Sequence, residues 1–185
     1  MNTIDSLMRL SPVIPVLVVD DPATAQPLAR ALVARGHPML EVTLRTPAAL
    51  EVIAEMTKVE GAVVGAGTVL NARDLDASRK AGARFIVSPG LTEPLARAAI
   101  ASGVPFLPGV ASAGDIMRGL DLGLSHFKFF PAVAAGGIAA LKALAAPFAQ
   151  CRFCPTGGIT EATAPDWLAL EAVLCVGGSW VASGL

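Results

Sequence analysis

The chain has 185 residues, 54% of them hydrophobic, and its 14 Lys and Arg nearly balance 15 Asp and Glu. That length predicts one domain, 1–185, with a sizeable core, and charges scattered without blocks exclude the electrostatic footprint of a nucleic-acid or anionic-membrane binder. No apolar run approaches the ~18 residues of a spanning helix, and the start of the chain, with Asp5 ahead of Arg9, is unlike a secretory leader, so a cytoplasmic protein is expected.

In chain order, β-rich and helical runs alternate. Residues 13–19 form an apolar, β-branched strand, and Asp20-Asp21-Pro22 opens an Ala/Leu-rich helix that ends at Gly36. A strand over 39–45 precedes a helix over 47–57. A strand over 62–69 leads to a helix capped by Asn71 and closed near Gly82. The same alternation gives a strand at 85–89, a helix from Thr92 to Gly103, a strand at 106–110 and a helix from Ser112 to Gly123. A strand around Lys128, a helix over 137–145, a strand over 152–156, a helix over 160–170 and a strand over 173–176 complete the series.

Eight apolar strands separated by helices call for a parallel sheet covered by helices. Eight β-α units predict a (β/α)8 TIM barrel. An open doubly wound sheet is the competing arrangement, but no Gly-x-Gly-x-x-Gly follows the first strand. After the eighth strand only 181–185 remain, too few for a helix that could cover a barrel face. The eighth helix is therefore expected to be absent, belonging to a natural continuation that serves stability more than chemistry.

Cys151, Cys154 and Cys175 sit in apolar, strand-like settings that fit reduced core thiols. Cys151 and Cys154 have the C-x-x-C spacing, but it leads into a strand, whereas redox versions sit at a helix N-terminus. His37 and His126 have no metal-ligand spacing with each other or with acidic residues, so no metal site is expected.

The polar residues concentrate where barrel strands end, the place where reactive groups of such folds lie. Lys128 is flanked by Phe127, Phe129 and Phe130. Burial disfavours its ammonium form, and a neutral amine near pH 7 is a nucleophile towards carbonyls; the other reading is a lysine snorkelling to water along its aromatic neighbours. In the second strand Glu41, Thr43 and Arg45 share the face opposite Leu40, Val42 and Leu44. They point into the barrel either as site residues or as an interior Glu41–Arg45 ion pair. Thr68 offers a hydroxyl after Gly65-Ala66-Gly67, whose small size leaves room for a ligand, and Pro89 shapes the mouth. Thr156-Gly157-Gly158 and Gly177-Gly178-Ser179 end the last two strands, where glycines let backbone N–H groups approach a phosphate and a following helix N-terminus would add to the attraction.

With those residues in hand, the chain resembles the class I 2-keto-3-deoxy-6-phosphogluconate aldolases, a family also linked to 4-hydroxy-2-oxoglutarate cleavage. The resemblance spans nearly the whole chain. It rests on Glu-Val-Thr-Leu-Arg-Thr (41–46), Gly-Ala-Gly-Thr-Val (65–69), Ser-Pro-Gly-Leu (88–91), Phe-Lys-Phe-Phe-Pro-Ala (127–132), Cys-Pro-Thr-Gly-Gly-Ile (154–159) and Gly-Gly-Ser-Trp (177–180). It implies Lys128 as Schiff-base former, Glu41 as general acid/base, Arg45, Thr68, Pro89 and Thr156 as substrate contacts, and Gly157, Gly158, Gly178 and Ser179 as a phosphate cup. It further implies a keto-acid sugar phosphate as substrate, pyruvate and glyceraldehyde 3-phosphate as products, no cofactor, and a homotrimer. Aldolases for the galactonate epimer look similar but differ after the lysine, so Phe129-Phe130 favours the gluconate enzyme; a non-catalytic sugar-phosphate-binding barrel is a further alternative. One departure from the family is the apolar loop Ala132-Val133-Ala134-Ala135.

Overall fold

Parallel strands close into a ring in the computed structural model, which describes residues 3–185. They are β1 (Val13–Leu17), β2 (Met39–Thr43), β3 (Val63–Gly67), β4 (Ile86–Val87), β5 (Phe106–Leu107), β6 (Gly109–Val110), β7 (His126–Phe129), β8 (Arg152–Pro155) and β9 (Val176–Gly178). Two runs, β5-β4-β3-β2-β1-β9 and β6-β7-β8, make up the ring. β5 and β6 are the two halves of the single strand expected over 106–110, split at Pro108, which has no N–H to give to a ladder. Bridges Phe153↔Val173 and Thr156↔Gly177 join the β8 and β9 segments and complete an eight-position barrel.

The helices α2 (Ala25–Ala34), α3 (Ala49–Met56), α4 (Ala72–Lys80), α5 (Glu93–Ser102), α6 (Ala113–Asp121), α7 (Gly137–Ala145) and α8 (Ala164–Leu168) lie between strands. Their ends follow local chemistry. The Asn71 side chain accepts from the Asp74 N–H, Ser112 and Asp115 form a reciprocal capping box, and α5 stops at Gly103 with φ 71°. α8 is shorter than the run over 160–170 suggests, because Thr163 Oγ1 accepts from the Thr160 N–H and holds a turn there before the helix starts at Ala164, with Pro165 in its first turn. After β9 the described residues contain one 3-10 turn, Trp180–Ala182.

Strand alternation sorts the core into an inner and an outer layer. Met39 faces Ile14, Phe85, Leu107 and Cys175 inside the barrel, while its neighbours Leu40 and Val42 pack outwards against the helices. A helix not foreseen from the sequence, α1 (Ile4–Met8), closes the amino end of the barrel by placing Leu7 and Met8 in the inner cluster. Five residues are too few to show a 3.6-residue period, although the reciprocal Thr3–Ser6 cap was there to be read. Asp5 of α1 meets Arg9 at 2.9 Å and His126 of β7 at 3.0 Å.

The cysteines are free and buried. Cys151 belongs to an outer cluster and Cys154 to the inner one, so the C-x-x-C pair points to opposite sides of β8. Burial and a hydrogen bond to Cys154 push the Cys175 thiol well above its ordinary pKa, the hydrogen bond being the larger cause.

Candidate active site

The carboxyl ends of the strands carry the polar side chains, as expected. Lys128 is 6% exposed and Glu41 3%, and Lys128 Nζ donates to Glu41 Oε1 at 3.0 Å. Phe127 and Phe129 pack outwards, which turns Lys128 inwards, and Phe130 places its ring under the ammonium, 5.3 Å from Nζ to the centroid. Lys128 therefore does not snorkel to water. Nor does Glu41 pair with Arg45; its partner is Lys128.

The room for Glu41 comes from β3. A Cβ on Gly67 would lie 2.2 Å from Glu41 Oε1, and one on Gly65 would lie 2.4 Å from the Phe85 ring. The small residues before Thr68 thus make space for the protein's own carboxylate and ring, a correction to the reading that they leave room for a ligand. Thr68 itself is a non-glycine residue at φ 59°, a conformation that costs a β-branched residue on the order of 1–3 kcal/mol and collects at functional sites.

Glu41, Arg45, Thr68, Pro89, Lys128 and Thr156 all line one cavity of about 190 Å³, whose wall is completed by Val16, Thr43 and Phe130. Gly157, Gly158, Gly178 and Ser179 line an adjoining cavity of about 190 Å³, which shares Val16, Arg45, Phe130 and Thr156 with the first. All ten residues singled out from the sequence therefore lie in two connected spaces. Alternation placed Thr43 on the inward face and could have placed Val16 there too, but it could not show what either one meets.

Glycine backbone lines much of the second space. Gly157 has φ 105° and Gly158 φ 79°, and neither N–H finds a backbone acceptor among the described residues. The apolar 132–135 loop braces it, since Ala132 N donates to Thr156 O at 2.8 Å and Val133 N to Gly157 O at 3.0 Å. The helix N-termini expected behind the glycine pairs are not there: α8 begins only at Ala164, and three residues of 3-10 turn follow Ser179. Trp180 instead lays its ring against Gly178, where a Cβ would come within 1.9 Å of it.

A larger groove of about 440 Å³ lies outside the barrel between α7 and α8, remote from these polar groups. Among the described residues no three His, Cys, Asp or Glu side chains are grouped so as to hold a metal ion.

A family model described as KDPG and KHG aldolase matches residues 4–184. A 2-dehydro-3-deoxy-phosphogluconate aldolase of Zymomonas mobilis is 61% identical over 181 residues, covering 98% of this chain and 87% of that protein. The crystal structure of the Zymomonas mobilis 2-keto-3-deoxy-6-phosphogluconate aldolase with 3-phosphoglycerate matches with a TM-score of 0.95 at 62% identity, over 96% of this chain and 85% of that one. A Legionella pneumophila KDPG aldolase, solved with pyruvate captured at low pH as a covalent carbinolamine intermediate, matches with a TM-score of 0.95 at 46% identity, over 99% and 89%.

Proposed function

The chain belongs to the KDPG and KHG aldolase family, and from that membership we propose that Lys128 is its Schiff-base nucleophile and Glu41 its proton carrier. The enzyme is a class I lyase that cleaves 2-keto-3-deoxy-6-phosphogluconate to pyruvate and D-glyceraldehyde 3-phosphate, the aldol cleavage of the Entner-Doudoroff pathway. The observation that carries the residue roles is the buried Lys128–Glu41 contact of 3.0 Å beside two glycine-lined loops.

Glu41 takes a proton from the Lys128 ammonium, and the freed amine adds to C2 of the keto acid. Glu41 hands that proton to the departing hydroxyl, so the former carbonyl oxygen leaves as water, an iminium remains and Glu41 is again a carboxylate. The C3–C4 bond then breaks: its electrons flow into the C2=N group to give an enamine, the C4 hydroxyl proton passes to Glu41, and C4 becomes the aldehyde carbon. Glu41 returns a proton to C3, and water adds to the iminium to release pyruvate and Lys128. The iminium is the electron sink, so the chemistry calls for no cofactor.

In this reading Arg45 takes the substrate carboxylate with its guanidinium fork, Thr68, Pro89 and Thr156 border the keto acid, and Gly157, Gly158, Gly178 and Ser179 hold the phosphate. The same pocket accepts 4-hydroxy-2-oxoglutarate, giving pyruvate and glyoxylate. The family resemblance supports two further parts of the proposal. Copies assemble as homotrimers, to be checked by light scattering on the eluting peak, and the enzyme works in the cytoplasm, where its charged, phosphorylated substrate is retained.

Borohydride reduction in the presence of pyruvate, followed by peptide mass spectrometry, tests the roles. A reduced adduct on Lys128 is expected; an adduct elsewhere, or binding of the sugar phosphate without any adduct, overturns them. Assay with both C4 epimers separates gluconate from galactonate preference.

A further inference from the structure

We propose that Thr43 is the positioning residue that aims the Arg45 guanidinium at the substrate carboxylate, an inference that rests on the aldolase reading above. Arg45 is an exposed side chain at the cavity mouth. Left free, such a side chain keeps rotamer freedom that binding would have to remove. Its guanidinium makes one hydrogen bond among the described residues, from Nε to Thr43 Oγ1 at 3.1 Å.

Thr43 is suited to hold it. The residue is 2% exposed, and its hydroxyl donates to the Leu17 carbonyl at 2.9 Å, a bond that crosses from β2 to β1. With its single proton committed to Leu17, the oxygen can only accept, and it accepts from Nε. It has no donor left for a substrate carboxylate and so acts through Arg45. The choice of Nε matters chemically: anchoring the base of the fork leaves both terminal nitrogens, Nη1 and Nη2, free for a bidentate contact with a carboxylate.

A second hydroxyl three residues on supplies the comparison. Thr46 Oγ1 donates to the Val19 carbonyl at 2.8 Å and staples the same two chain segments without a hydrogen bond to the Arg45 guanidinium. If Thr43 were only a staple, the two threonines would behave alike.

The test is kinetic and spectroscopic. Thr43→Val is expected to raise KM for the phosphorylated keto acid about tenfold, the scale of one weakened charge-assisted hydrogen bond, with kcat within about twofold. Thr43→Ser is expected to restore KM, Thr46→Val to leave it unchanged, and Thr43→Val to add nothing in an Arg45→Met background. Wild-type KM in Thr43→Val, or additive effects of the two substitutions, overturns the proposal; Thr43→Ala serves the same measurements if the valine variant does not fold. Independently of turnover, the Arg45 Nε–H NMR signal, assigned by its loss in Arg45→Met, is expected to be sharp and protected in the wild type and exchange-broadened in Thr43→Val. A signal unchanged in Thr43→Val overturns the proposal even in an inactive protein. An inactive wild type whose signal responds as described overturns the aldolase reading instead.

Discussion

Lys128 Nζ lies 3.0 Å from Glu41 Oε1, although 87 residues separate the two in the chain. The ring explains the meeting. Counting β5 and β6 as one position, β2 and β7 stand four places apart in either direction, so the two side chains reach across the diameter of the barrel from opposite walls. Side chains from alternate strands share a layer in such barrels, and this layer carries an acid–base pair in place of apolar filling.

Glu41→Gln keeps the shape and removes the proton carrier. Turnover is expected to fall by roughly 10² to 10⁴, the usual cost of a lost general acid/base, while circular dichroism shows an intact fold. Turnover at the wild-type level would assign Glu41 to structure.

Gly67→Ala is expected to act at a distance from its own side chain. The new methyl group would sit 2.2 Å from Glu41 Oε1 and 2.7 Å from Glu41 Cγ, so the carboxylate has to leave its place beside Lys128. A drop in kcat of at least about tenfold is expected, each tenfold step reflecting about 1.4 kcal/mol of lost transition-state stabilisation. A crystal structure of an active Gly67→Ala variant with Glu41 unmoved would contradict this.

The glycine cup predicts preference for a phosphorylated aldehyde in the aldol direction, because its charge meets N–H donors that are already in place. The ratio of kcat/KM for glyceraldehyde 3-phosphate over glyceraldehyde is expected to be large in the wild type and smaller in Ser179→Ala. Equal efficiencies for the two aldehydes would remove the phosphate role from Gly157, Gly158, Gly178 and Ser179.

The plug helix α1 is expected to be acid-sensitive. Arg9, and after it His126, hold the Asp5 carboxyl at about 2, below its ordinary 3.8. A depressed carboxyl pKa contributes stability that is present above about 3.8 and lost as pH falls towards 2. The gap in melting temperature between wild type and Asp5→Asn is therefore expected to be open at pH 5 and to narrow from pH 4 to pH 2. The effect is small, because Asp5 is 41% exposed and water screens its partners. A gap independent of pH would point to packing rather than charge.

Much of this was legible beforehand, and the reasons differ from residue to residue. The β-α repeat showed because β-branched runs and caps such as Asn71 and Ser112 leave local marks. Strand alternation told which way Glu41 points, but not what it meets, since period gives a face and never a partner; hence Glu41–Arg45 stood as an alternative until the ring was closed. The short α1 leaves no period. Gly67 was read for what it lacks, and only three dimensions reveal that a neighbouring strand fills the space. Thr43 was placed on the correct face, yet its bond to Arg45 runs between residues two apart at a strand end, where the chain departs from β geometry and the alternation rule stops applying.

The helix that stoppers the amino end has a consequence for traffic. With Leu7 and Met8 wedged against Ile14 and Phe85, the barrel is a blind-ended vessel, and everything must pass through one doorway. If the proposed roles hold, with the reacting amine buried and the phosphate on the glycine loops of the adjoining space, a substrate enters keto-acid end first. After the carbon–carbon bond breaks, the aldehyde fragment stands between the tethered three-carbon remnant and the exit. It has to depart before water can come in to free the remnant. Run in reverse, the queue inverts: pyruvate must be seated before the aldehyde arrives, and an aldehyde lodged first would obstruct its partner.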